Sequence, residues 1–348
     1  MTRGLQMSDF SEAVAFLKKH GGTVRYRFPG NRTSLKLVEL EKLDGSKGVF
    51  VKQVGDGSII ELFDKTPFPQ QPSDVVCPHF LELKWANGCW YDCAWCYLNG
   101  TFRFRPNGKD PYLKDVKKIL RHIKTFLQSV KESYMLNSGE LSDSLVYEGR
   151  EFSLTKDIVP LFKQQYKNKL LILTKSTTLR PLIESDSQKQ VVVSFSLNAA
   201  RVSEKWEHKA PHPYQRIQAA KQAFDAGYEV RVRIDPMVPI KGWKEEYLEL
   251  VDRIFEYFTP ERITLGSLRG LQSTINTCTD VSWVEYLDEN SNWGRKVGFE
   301  QRLELYSTLM NYLENEYSFE RIAFCKETVR LWRALALDYR RIKCNCVL

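Results

Sequence analysis

Hydrophobic and polar positions alternate with two different periods along the chain. Between residues 23 and 63, apolar residues recur at every second position in short runs, which predicts the strands of a small antiparallel sheet. A helical pattern precedes these runs at residues 8–20, and the Gly21-Gly22 pair that follows is a stop signal. We therefore expect residues 1–78 to form a helix, a small β-rich extension and a proline-rich linker.

Strand-like and helix-like segments alternate from residue 80 to about residue 270. This alternation predicts parallel strands covered by helices, the arrangement of α/β barrels. Six such units predict a partial (β/α)6 TIM-like barrel over residues 79–270, followed by a mainly helical part over residues 271–348. In barrels of this kind the functional side chains lie at the C-terminal ends of the strands.

Three cysteines, Cys89, Cys93 and Cys96, follow the first predicted barrel strand. A loop that presents three thiolates can bind three irons of a [4Fe–4S] cluster and leave the fourth iron open to a substrate or cofactor. The alternative is a structural zinc site completed by Cys77 or His79. Zinc sites usually pair cysteines at two separate places in the chain, and only one clear place is present, so the pattern favours the cluster.

Composition agrees with an enzyme of the cytoplasm. The 348 residues are 43% hydrophobic, which is enough for one barrel-sized domain with additions. We expect no signal peptide and no membrane partner, because no sustained apolar run is present. Eight cysteines predict metal ligands or reactive thiols in a reducing compartment. The net charge of +8 permits an acidic partner without requiring one.

The cysteine loop resembles the signature of radical S-adenosylmethionine (SAM) enzymes, Cys-x3-Cys-x2-Cys with an aromatic residue, Trp95, directly before the last cysteine. The resemblance implies a [4Fe–4S] cluster, SAM on its open iron, Trp95 near the adenine, and an electron donor such as flavodoxin or ferredoxin. It also implies a barrel of the radical SAM type. The wider pattern resembles the spore photoproduct lyase family, in CAWCYL at 93–98, SD at 142–143, LTKS at 173–176, FSLN at 195–198 and the segment 226–247.

Polar residues at the ends of the predicted strands are the candidate SAM ligands. Radical SAM enzymes carry a small-Gly-Glu element after the second strand, here Ser138, Gly139 and Glu140, which holds the SAM amino group. A carboxylate on an ammonium group forms a charge-assisted hydrogen bond. Ser142 follows in the SD pair. The family resemblance implies that Lys175 pairs with the SAM carboxylate. The plainer alternatives are an exposed turn for Glu140 and a surface lysine for Lys175.

Ser196 and Asn198 close the fourth predicted strand and match a serine and an asparagine that contact SAM in the lyases. Hydroxyl and amide groups suit the ribose and the methionine carboxylate, although they could equally satisfy backbone groups at a strand end. Arg233, Asp235 and Arg269 are weaker candidates for substrate contacts.

Two residues depart from the lyase pattern. The lyases carry a hydrogen-donating cysteine two residues before the SD pair, and this position is Glu140 here. They also carry tyrosines on both sides of the last cluster cysteine, whereas this chain has Trp95 and Tyr97. Tyr97 therefore remains a candidate catalytic residue. We expect another hydrogen donor and a substrate other than a thymine dimer.

Four cysteines lie outside both the loop and its upstream neighbour: Cys278, Cys325, Cys344 and Cys346. Free cysteines are often small buried hydrophobic residues. A Cys-x-Cys pair near a polar chain end is harder to explain in that way. Cys344 and Cys346 are therefore candidate catalytic residues, either as hydrogen donors on a flexible tail or as ligands of a second cluster completed by Cys325, with or without Cys278.

The sequence is compatible with three kinds of substrate, namely nucleic acid, a peptide and a small metabolite. Aromatic residues alternate with arginines at 102–105, which suits base stacking and phosphate contact, and the segment 321–348 is locally basic. A solvated helix face and loop packing would explain both equally well. The predicted function is a radical SAM enzyme that removes hydrogen from a substrate. Its alternatives are a DNA or nucleotide modification lyase, a peptide or metabolite epimerase, and a non-enzymatic iron–sulfur or zinc scaffold.

Overall fold

The computed structural model describes residues 6–63 and 68–348. Residues 64–67 of the predicted linker, and residues 1–5, lie outside the described residues. Secondary structure of the N-terminal part comprises β1 (Gln6–Met7), α1 (Phe10–His20), β2 (Thr23–Tyr26), β3 (Leu35–Glu41), β4 (Lys47–Val54), β5 (Ile60–Phe63) and β6 (Val75–Val76).

The middle part alternates strands and helices as predicted. Its elements are β7 (Phe80–Leu83), β8 (Ala86–Asn87), β9 (Asp92–Cys93), α2 (Tyr97–Thr101), β10 (Tyr112–Leu113), α3 (Val116–Ser129), β11 (Met135–Asn137), a π-helical turn (Leu154–Ile158), α4 (Val159–Lys163), β12 (Lys169–Thr174), α5 (Arg180–Glu184), β13 (Val191–Leu197), α6 (Ala200–Trp206), β14 (Glu207–His208), α7 (Pro213–Asp225), β15 (Glu229–Met237), α8 (Trp243–Tyr257) and β16 (Ile263–Ser267).

The last part is more mixed than the predicted helical extension. Its elements are β17 (Arg269–Gly270), α9 (Gln272–Ile275), a 3-10 helix (Ser282–Tyr286), β18 (Glu289–Ser291), β19 (Gly294–Lys296), α10 (Phe299–Tyr317), β20 (Ile322–Phe324), β21 (Glu327–Thr328), α11 (Val329–Ala334) and a second 3-10 helix (Tyr339–Arg341). Strands β17, β19 and β18 form a small antiparallel sheet between the helices.

One sheet joins the N-terminal part to the barrel. Strands β2 to β5 pair in antiparallel order, and β5 pairs antiparallel with β7. From there the order β7-β11-β12-β13-β15-β16-β20 is parallel throughout. The α/β partial barrel predicted from the sequence is confirmed, and β20 adds a seventh parallel strand to the six that were predicted.

The barrel strands are buried on both faces. All seven residues of β13 are buried, and its run of valines suits a strand covered by helices on one side and by the barrel interior on the other. Helix α8 turns Tyr247, Leu250, Val251 and Ile254 inward at a spacing of three and four residues. Because the central strands run parallel, their C-terminal ends meet at one rim, where the loops between strand and helix gather.

The C-terminal tail enters the barrel, which corrects the prediction of a flexible tail. Asn345 is fully buried, and its side-chain oxygen accepts a hydrogen bond from the Thr264 hydroxyl at 2.7 Å. Its amide nitrogen donates to the Ser194 hydroxyl at 2.8 Å and to the Val232 carbonyl at 2.9 Å. Chain ends fray unless they are tied down, and this one is tied to three neighbouring strands.

Two buried arginines hold the backbone of the same tail. The guanidinium of Arg231 donates to the carbonyl of Asn345 at 2.9 Å and to that of Val347 at 2.7 Å. Arg262 donates to the carbonyl of Cys344 at 3.2 Å. The tail is therefore held through its backbone, while Arg340, Arg341 and Lys343 of the locally basic segment are exposed. In the described part of the chain, no helix has the length and apolar character needed to cross a membrane.

Candidate active site

A cavity of about 380 Å³ opens at the C-terminal ends of the parallel strands. Its lining residues come from the loop after β7, from the ends of the following strands, and from the C-terminal tail. This position agrees with the rule that barrels of this kind place their chemistry at the strand ends.

The three cysteines of the loop, Cys89, Cys93 and Cys96, all line this cavity. Backbone hydrogen bonds hold the loop from two sides. The amide of Cys89 donates to the carbonyl of Lys109 at 2.8 Å, and the amide of Ala94 donates to a carbonyl of the α6–β14 junction at 2.8 Å. Strand β9, which contains Cys93, also pairs with β14. Backbone hydrogen bonds and strand pairing therefore fix the loop that carries the three thiols.

Two glycines allow the loop to pack this closely. Gly88 has φ +88°, and a β-carbon there would lie 2.3 Å from the carbonyl oxygen of Lys109. A β-carbon on Gly100 in α2 would lie 2.6 Å from the Ser273 hydroxyl. Neither position has room for a side chain. Glycine at both positions therefore allows the close packing that helps to fix the direction of the cysteine side chains.

The chemistry of the loop suits an iron–sulfur cluster better than one zinc ion. Within residues 6–63 and 68–348, no three His, Cys, Asp or Glu side chains are grouped to hold a single metal ion. A [4Fe–4S] cluster needs no such convergence, because each thiolate binds a different iron. The imidazole of His79, a proposed fourth zinc ligand, instead lies 3.2 Å from the carbonyl of Glu41.

Burial keeps two of these thiols protonated while no metal is bound. It raises the pKa of Cys89 well above its ordinary value and raises that of Cys93 to about 12, although the nearby Lys175 opposes the shift at Cys93. Thiolates bind metal in the deprotonated form, so loading iron onto this loop releases protons.

The predicted small-Gly-Glu element divides into structural and cavity-facing residues. The Ser138 hydroxyl is buried and donates to the carbonyl of Leu171 at 2.8 Å, whereas Gly139 and Glu140 line the cavity. The Glu140 carboxylate accepts a hydrogen bond from the side-chain amide of Asn137 at 2.7 Å. Glu140 is thus oriented at the cavity wall, and the Ser138 side chain is engaged elsewhere.

Ser142 is a buried polar group that lacks a partner among the described residues. Ser142 is 3% exposed and lines the cavity, and its hydroxyl makes no hydrogen bond to any described residue. A buried hydroxyl without a partner costs free energy, roughly 1–3 kcal/mol. A polar ligand in the cavity would supply the missing bond, so this site fits a molecule such as SAM.

The ammonium group of Lys175 is held at the cavity by two partners. It donates to the Ser196 hydroxyl at 2.6 Å and lies 3.4 Å from the buried carboxylate of Glu207, which also binds Arg216 at 2.7 Å. Burial would raise the pKa of Glu207, but the charges of Lys175 and Arg216 lower it to about 2. Burial likewise opposes the charged form of Lys175, and the negative charge of Glu207 raises its pKa above the ordinary value.

Asn198 does not face the cavity. It is fully buried, its amide donates to the carbonyl of Pro236 at 2.9 Å, and its oxygen accepts from the Tyr247 hydroxyl at 3.0 Å. These bonds fasten the end of β13 to β15 and α8. The structure therefore brings Ser196 to the cavity and leaves Asn198 in the framework behind it.

Both aromatic neighbours of Cys96 line the cavity. The Trp95 ring packs against Trp206, with centroids 5.7 Å apart. Tyr97 is partly exposed, and its hydroxyl donates to the backbone carbonyl of Glu140. Tyr97 thus connects the cysteine loop to the segment after β11.

Four further thiols line the same cavity, which composition alone could not show. Three of them lie close to a cation: Cys346 is 3.0 Å from Arg233, Cys77 is 3.2 Å from Lys326, and Cys325 is 3.5 Å from Arg269. The fourth is Cys344. Cys278 is not among the lining residues, and its thiol donates to the carbonyl of Ile275. Cys278 therefore lies apart from the thiols that line the cavity.

The weaker candidates are also present. Arg269 forms a bidentate pair with Asp235, with distances of 2.7 and 2.9 Å, and both residues line the cavity together with Arg233. In the segment 102–105 both Arg103 and Phe104 are exposed, Phe104 at 83%, and Arg103 stacks on the Phe104 ring.

Sequence reasoning missed the residues that hold others in place. Asp143 is buried and accepts from the backbone of Lys175 at 2.8 Å and from the Thr174 hydroxyl at 2.7 Å. Glu207 was not singled out either. The SD pair was the only available signal for Asp143, and no local pattern marks Glu207, because its pairing with Lys175 joins different elements of the fold.

Comparison with solved structures shows the same fold. A structure of spore photoproduct lyase complexed with dinucleoside spore photoproduct matches with a TM-score of 0.59 and 19% identity, covering 70% of this chain and 76% of that chain. A variant of that lyase with bound AdoMet (SAM) and the same dinucleoside matches with a TM-score of 0.59 and 17% identity, covering 72% of this chain and 76% of that one. The radical SAM type of barrel is thereby confirmed.

Curated relatives match about half of the chain. The spore photoproduct lyase of Clostridium acetobutylicum is 27% identical over 176 residues, which cover 49% of this chain and 51% of the relative. That of Bacillus subtilis strain 168 is 24% identical over 175 residues, with 49% and 50% covered. The chain thus matches about half the length of these relatives.

A sequence profile described as spore photoproduct lyase matches residues 80–266, more than half of the chain. The matched region begins at β7, ends within β16, and contains the cysteine loop together with Glu140, Lys175 and Ser196. The chain therefore belongs to the spore photoproduct lyase family.

Proposed function

We propose that this protein is a radical SAM enzyme that binds a [4Fe–4S] cluster through Cys89, Cys93 and Cys96. One observation carries the proposal: the three thiols and the candidate SAM ligands line a single cavity at the ends of parallel strands. When bound, the cluster supplies the electron that splits SAM into methionine and a 5′-deoxyadenosyl radical, which removes hydrogen from the substrate.

The residues after β11 and β12 would bind the amino acid part of SAM. Glu140 offers a carboxylate to the ammonium group, and Lys175 offers an ammonium to the carboxylate, so opposite charges meet at both ends. Ser142 and Ser196 add hydroxyls that suit polar atoms of the same ligand. Glu207 keeps Lys175 charged and aimed at the cavity.

The remaining wall orients the reacting groups and excludes water. Trp95 presents an aromatic face next to Cys96, which suits the adenine of SAM. A confined cavity that holds SAM and substrate together lowers the barrier mainly by positioning them within reach of each other. The partly exposed Tyr97 closes one side through its bond to Glu140.

The substrate in this proposal differs from the spore photoproduct seen with the structural neighbours. Glu140 stands where the lyases carry a hydrogen-donating cysteine, so the last hydrogen transfer needs another residue. Tyr97, Cys344 and Cys346 are the candidates that line the cavity. A nucleic acid substrate draws support from the exposed ring of Phe104 with Arg103 stacked on it, while a peptide or small metabolite remains an alternative.

The electron source would be a one-electron carrier of the flavodoxin or ferredoxin class. All eight cysteines are free of disulfides, which suits a reducing compartment such as the cytoplasm.

Spectroscopy of the reconstituted protein tests the cofactor part of the proposal. After anaerobic loading with iron and sulfide, the reduced protein should show the electron paramagnetic resonance signal of a [4Fe–4S]⁺ cluster. Added SAM should shift that signal, because SAM occupies the open iron. Replacing Cys89, Cys93 and Cys96 together with Ala should abolish the signal, whereas Cys278→Ala should keep it. A signal unchanged by SAM would contradict the proposal.

A further inference from the structure

The C-terminal tail carries two thiols on either side of the buried Asn345. Both Cys344 and Cys346 are buried, and both line the cavity of the cysteine loop. Hydrogen bonds from Asn345 to β13, β15 and β16 fix the segment between them. The two thiols are therefore held at fixed positions inside the barrel.

The two sulfurs have different surroundings. Cys346 Sγ lies 3.0 Å from a guanidinium nitrogen of Arg233 and 3.6 Å from the side-chain amide nitrogen of Asn137, so two N–H donors point at it. Such donors stabilise a thiolate. Cys344 is then the sulfur that keeps its proton.

The pKa values follow the same division. The neighbouring thiol of Cys344 lowers the pKa of Cys346 against the opposing effect of burial, and Arg233 acts in the same direction. The proximity of Cys346 and burial raise the pKa of Cys344 well above its ordinary value. The two sulfurs thus differ in how easily they lose a proton, and Cys346 is the more acidic.

We propose that Cys344 and Cys346 form a two-sulfur hydrogen-donor site, in which Cys344 donates a hydrogen atom to a carbon radical in the cavity and the Cys346 thiolate captures the sulfur radical that remains. This inference rests on the proposed function, because SAM cleavage supplies the radical. It identifies a hydrogen donor for this chain, in which Glu140 replaces the hydrogen-donating cysteine of the family.

The chemistry balances without an unnamed reactant. The S–H bond of Cys344 breaks as a C–H bond forms, leaving a sulfur radical. That radical bonds to the Cys346 thiolate and gives a disulfide radical anion, whose negative charge lies next to Arg233. One electron then passes to a carrier of the ferredoxin or flavodoxin class, and a disulfide remains. A dithiol reductant restores the two thiols by exchange.

Asn345 is the positioning residue of this site. It touches no reacting atom, but its side chain satisfies Thr264 and Ser194 deep in the barrel and so sets where the neighbouring sulfurs lie. A second metal centre on the same thiols is the rival explanation. The described residues show no grouping that would hold a single metal ion there, so the rival is a second iron–sulfur cluster, which iron content distinguishes.

The first test needs neither cluster nor SAM. Limiting iodoacetamide is added to the cofactor-free protein at neutral pH, and trypsin, which cleaves after Lys343, then releases residues 344–348 for mass spectrometry. Cys346 should be labelled several-fold ahead of Cys344, and Arg233→Gln should reduce this preference several-fold, with Arg233→Lys in between. Equal labelling of both sulfurs in the parent protein would overturn the assignment.

The second test uses the 5′-deoxyadenosyl radical itself as the carbon radical. The reconstituted enzyme is reduced with SAM in D₂O, without substrate, so that only exchangeable positions carry deuterium. Deuterium should enter 5′-deoxyadenosine in the parent protein and in Cys278→Ser, and its incorporation should fall several-fold in Cys344→Ser. In Cys346→Ser, deuterium transfer should persist, whereas the disulfide in residues 344–348 should no longer form. This variant therefore separates hydrogen donation from disulfide formation.

The outcomes distinguish this inference from the proposed function. If the parent protein makes no 5′-deoxyadenosine, the proposed function fails, while the labelling test still decides the state of the two sulfurs. If 5′-deoxyadenosine forms and carries equal deuterium in Cys344→Ser, the donor lies elsewhere and the inference is overturned. Loss of deuterium in Tyr97→Phe alone would assign the donor to Tyr97. Iron content that falls by half in the Cys344→Ser, Cys346→Ser double variant would support the second metal centre instead.

Discussion

The carboxylate of Glu207 lies 3.4 Å from the ammonium of Lys175, and neither side chain is more than slightly exposed. The same carboxylate binds Arg216 at 2.7 Å, so one buried negative charge serves two cations. Its strand β14 also pairs with β9 of the cysteine loop. Glu207 therefore connects the loop that would bind the cluster to the lysine that would bind SAM.

Replacing Glu207 with Gln should destabilise the fold, because Arg216 and Lys175 would lose their buried counter-charge. Removing one partner from a buried pair typically costs about 3–5 kcal/mol. Urea unfolding at pH 7 measures the loss, and Glu204→Gln, an exposed glutamate of α6, is the matched control. A Glu207→Gln protein as stable as the control would contradict the electrostatic role.

The same pair predicts a dependence of stability on pH. The pKa of Glu207 falls from an ordinary 4.5 to about 2 in the folded protein. A lowered carboxyl pKa stabilises the fold above the unfolded value, and the contribution is lost as pH falls from about 4.5 toward 2. The stability difference between the parent protein and Glu207→Gln should therefore shrink over this range. A difference that stays constant between pH 5 and pH 3 would contradict this sign.

Glu140→Ala and Lys175→Ala should each weaken SAM binding while the cluster is retained. Each change removes one charge-assisted hydrogen bond, so a loss of roughly 1.5–3 kcal/mol is expected for each variant. Calorimetric titration of the reconstituted variants with SAM measures it, and the visible absorbance of the cluster serves as the control. Unchanged SAM affinity in both variants would remove these residues from the binding site.

Gly88→Ala should impair cluster loading through the shape of the loop. The new β-carbon would lie 2.3 Å from the carbonyl oxygen of Lys109, in a backbone conformation with φ +88°. Gly149→Ala is a matched control, since Gly149 has φ +80° but no atom within 4 Å of the added carbon. Iron bound per chain should fall in Gly88→Ala and stay near the parent value in Gly149→Ala. Equal iron in both variants would mean that the close approach is unimportant.

Asn345→Ala should reduce stability even though it lies near the chain end. The change leaves the buried Ser194 hydroxyl without its side-chain amide partner, at a cost of roughly 1–3 kcal/mol, and removes the acceptor of the Thr264 hydroxyl, to which the backbone N–H of residue 345 still donates. Thermal unfolding measures the effect, with the exposed Asn290→Ala as the control. A melting temperature equal to that of the control would show that the tail is dispensable for the fold.

The sequence predicted those parts of the fold that depend on local patterns. The strand that carries Ser196 is rich in valine, and α8 repeats its apolar residues with a helical period, so both elements were recognised without tertiary information. The cysteine loop was equally clear, because its three thiols lie within eight residues. The position of the loop at the strand ends followed from the parallel topology.

The rest depends on contacts between residues far apart in sequence. Asn345 meets Ser194 at a separation of 151 residues, and nothing near the chain end indicates that it enters the barrel. The tail was consequently predicted to be flexible. Asn198 was expected at the cavity because it closes the strand. Its side chain instead accepts a hydrogen bond from the hydroxyl of Tyr247, 49 residues away, and lies in the framework behind the cavity.

Formation of 5′-deoxyadenosine from SAM tests the central claim most directly. The anaerobically reconstituted protein, reduced with dithionite, is incubated with SAM, and the products are quantified by liquid chromatography with mass spectrometry. The parent protein and Cys278→Ala should both make 5′-deoxyadenosine and methionine, and the variant with Cys89, Cys93 and Cys96 replaced by Ala should make neither. SAM cleavage that persists in the triple variant, or that is absent from a parent protein with a full cluster, would contradict the account.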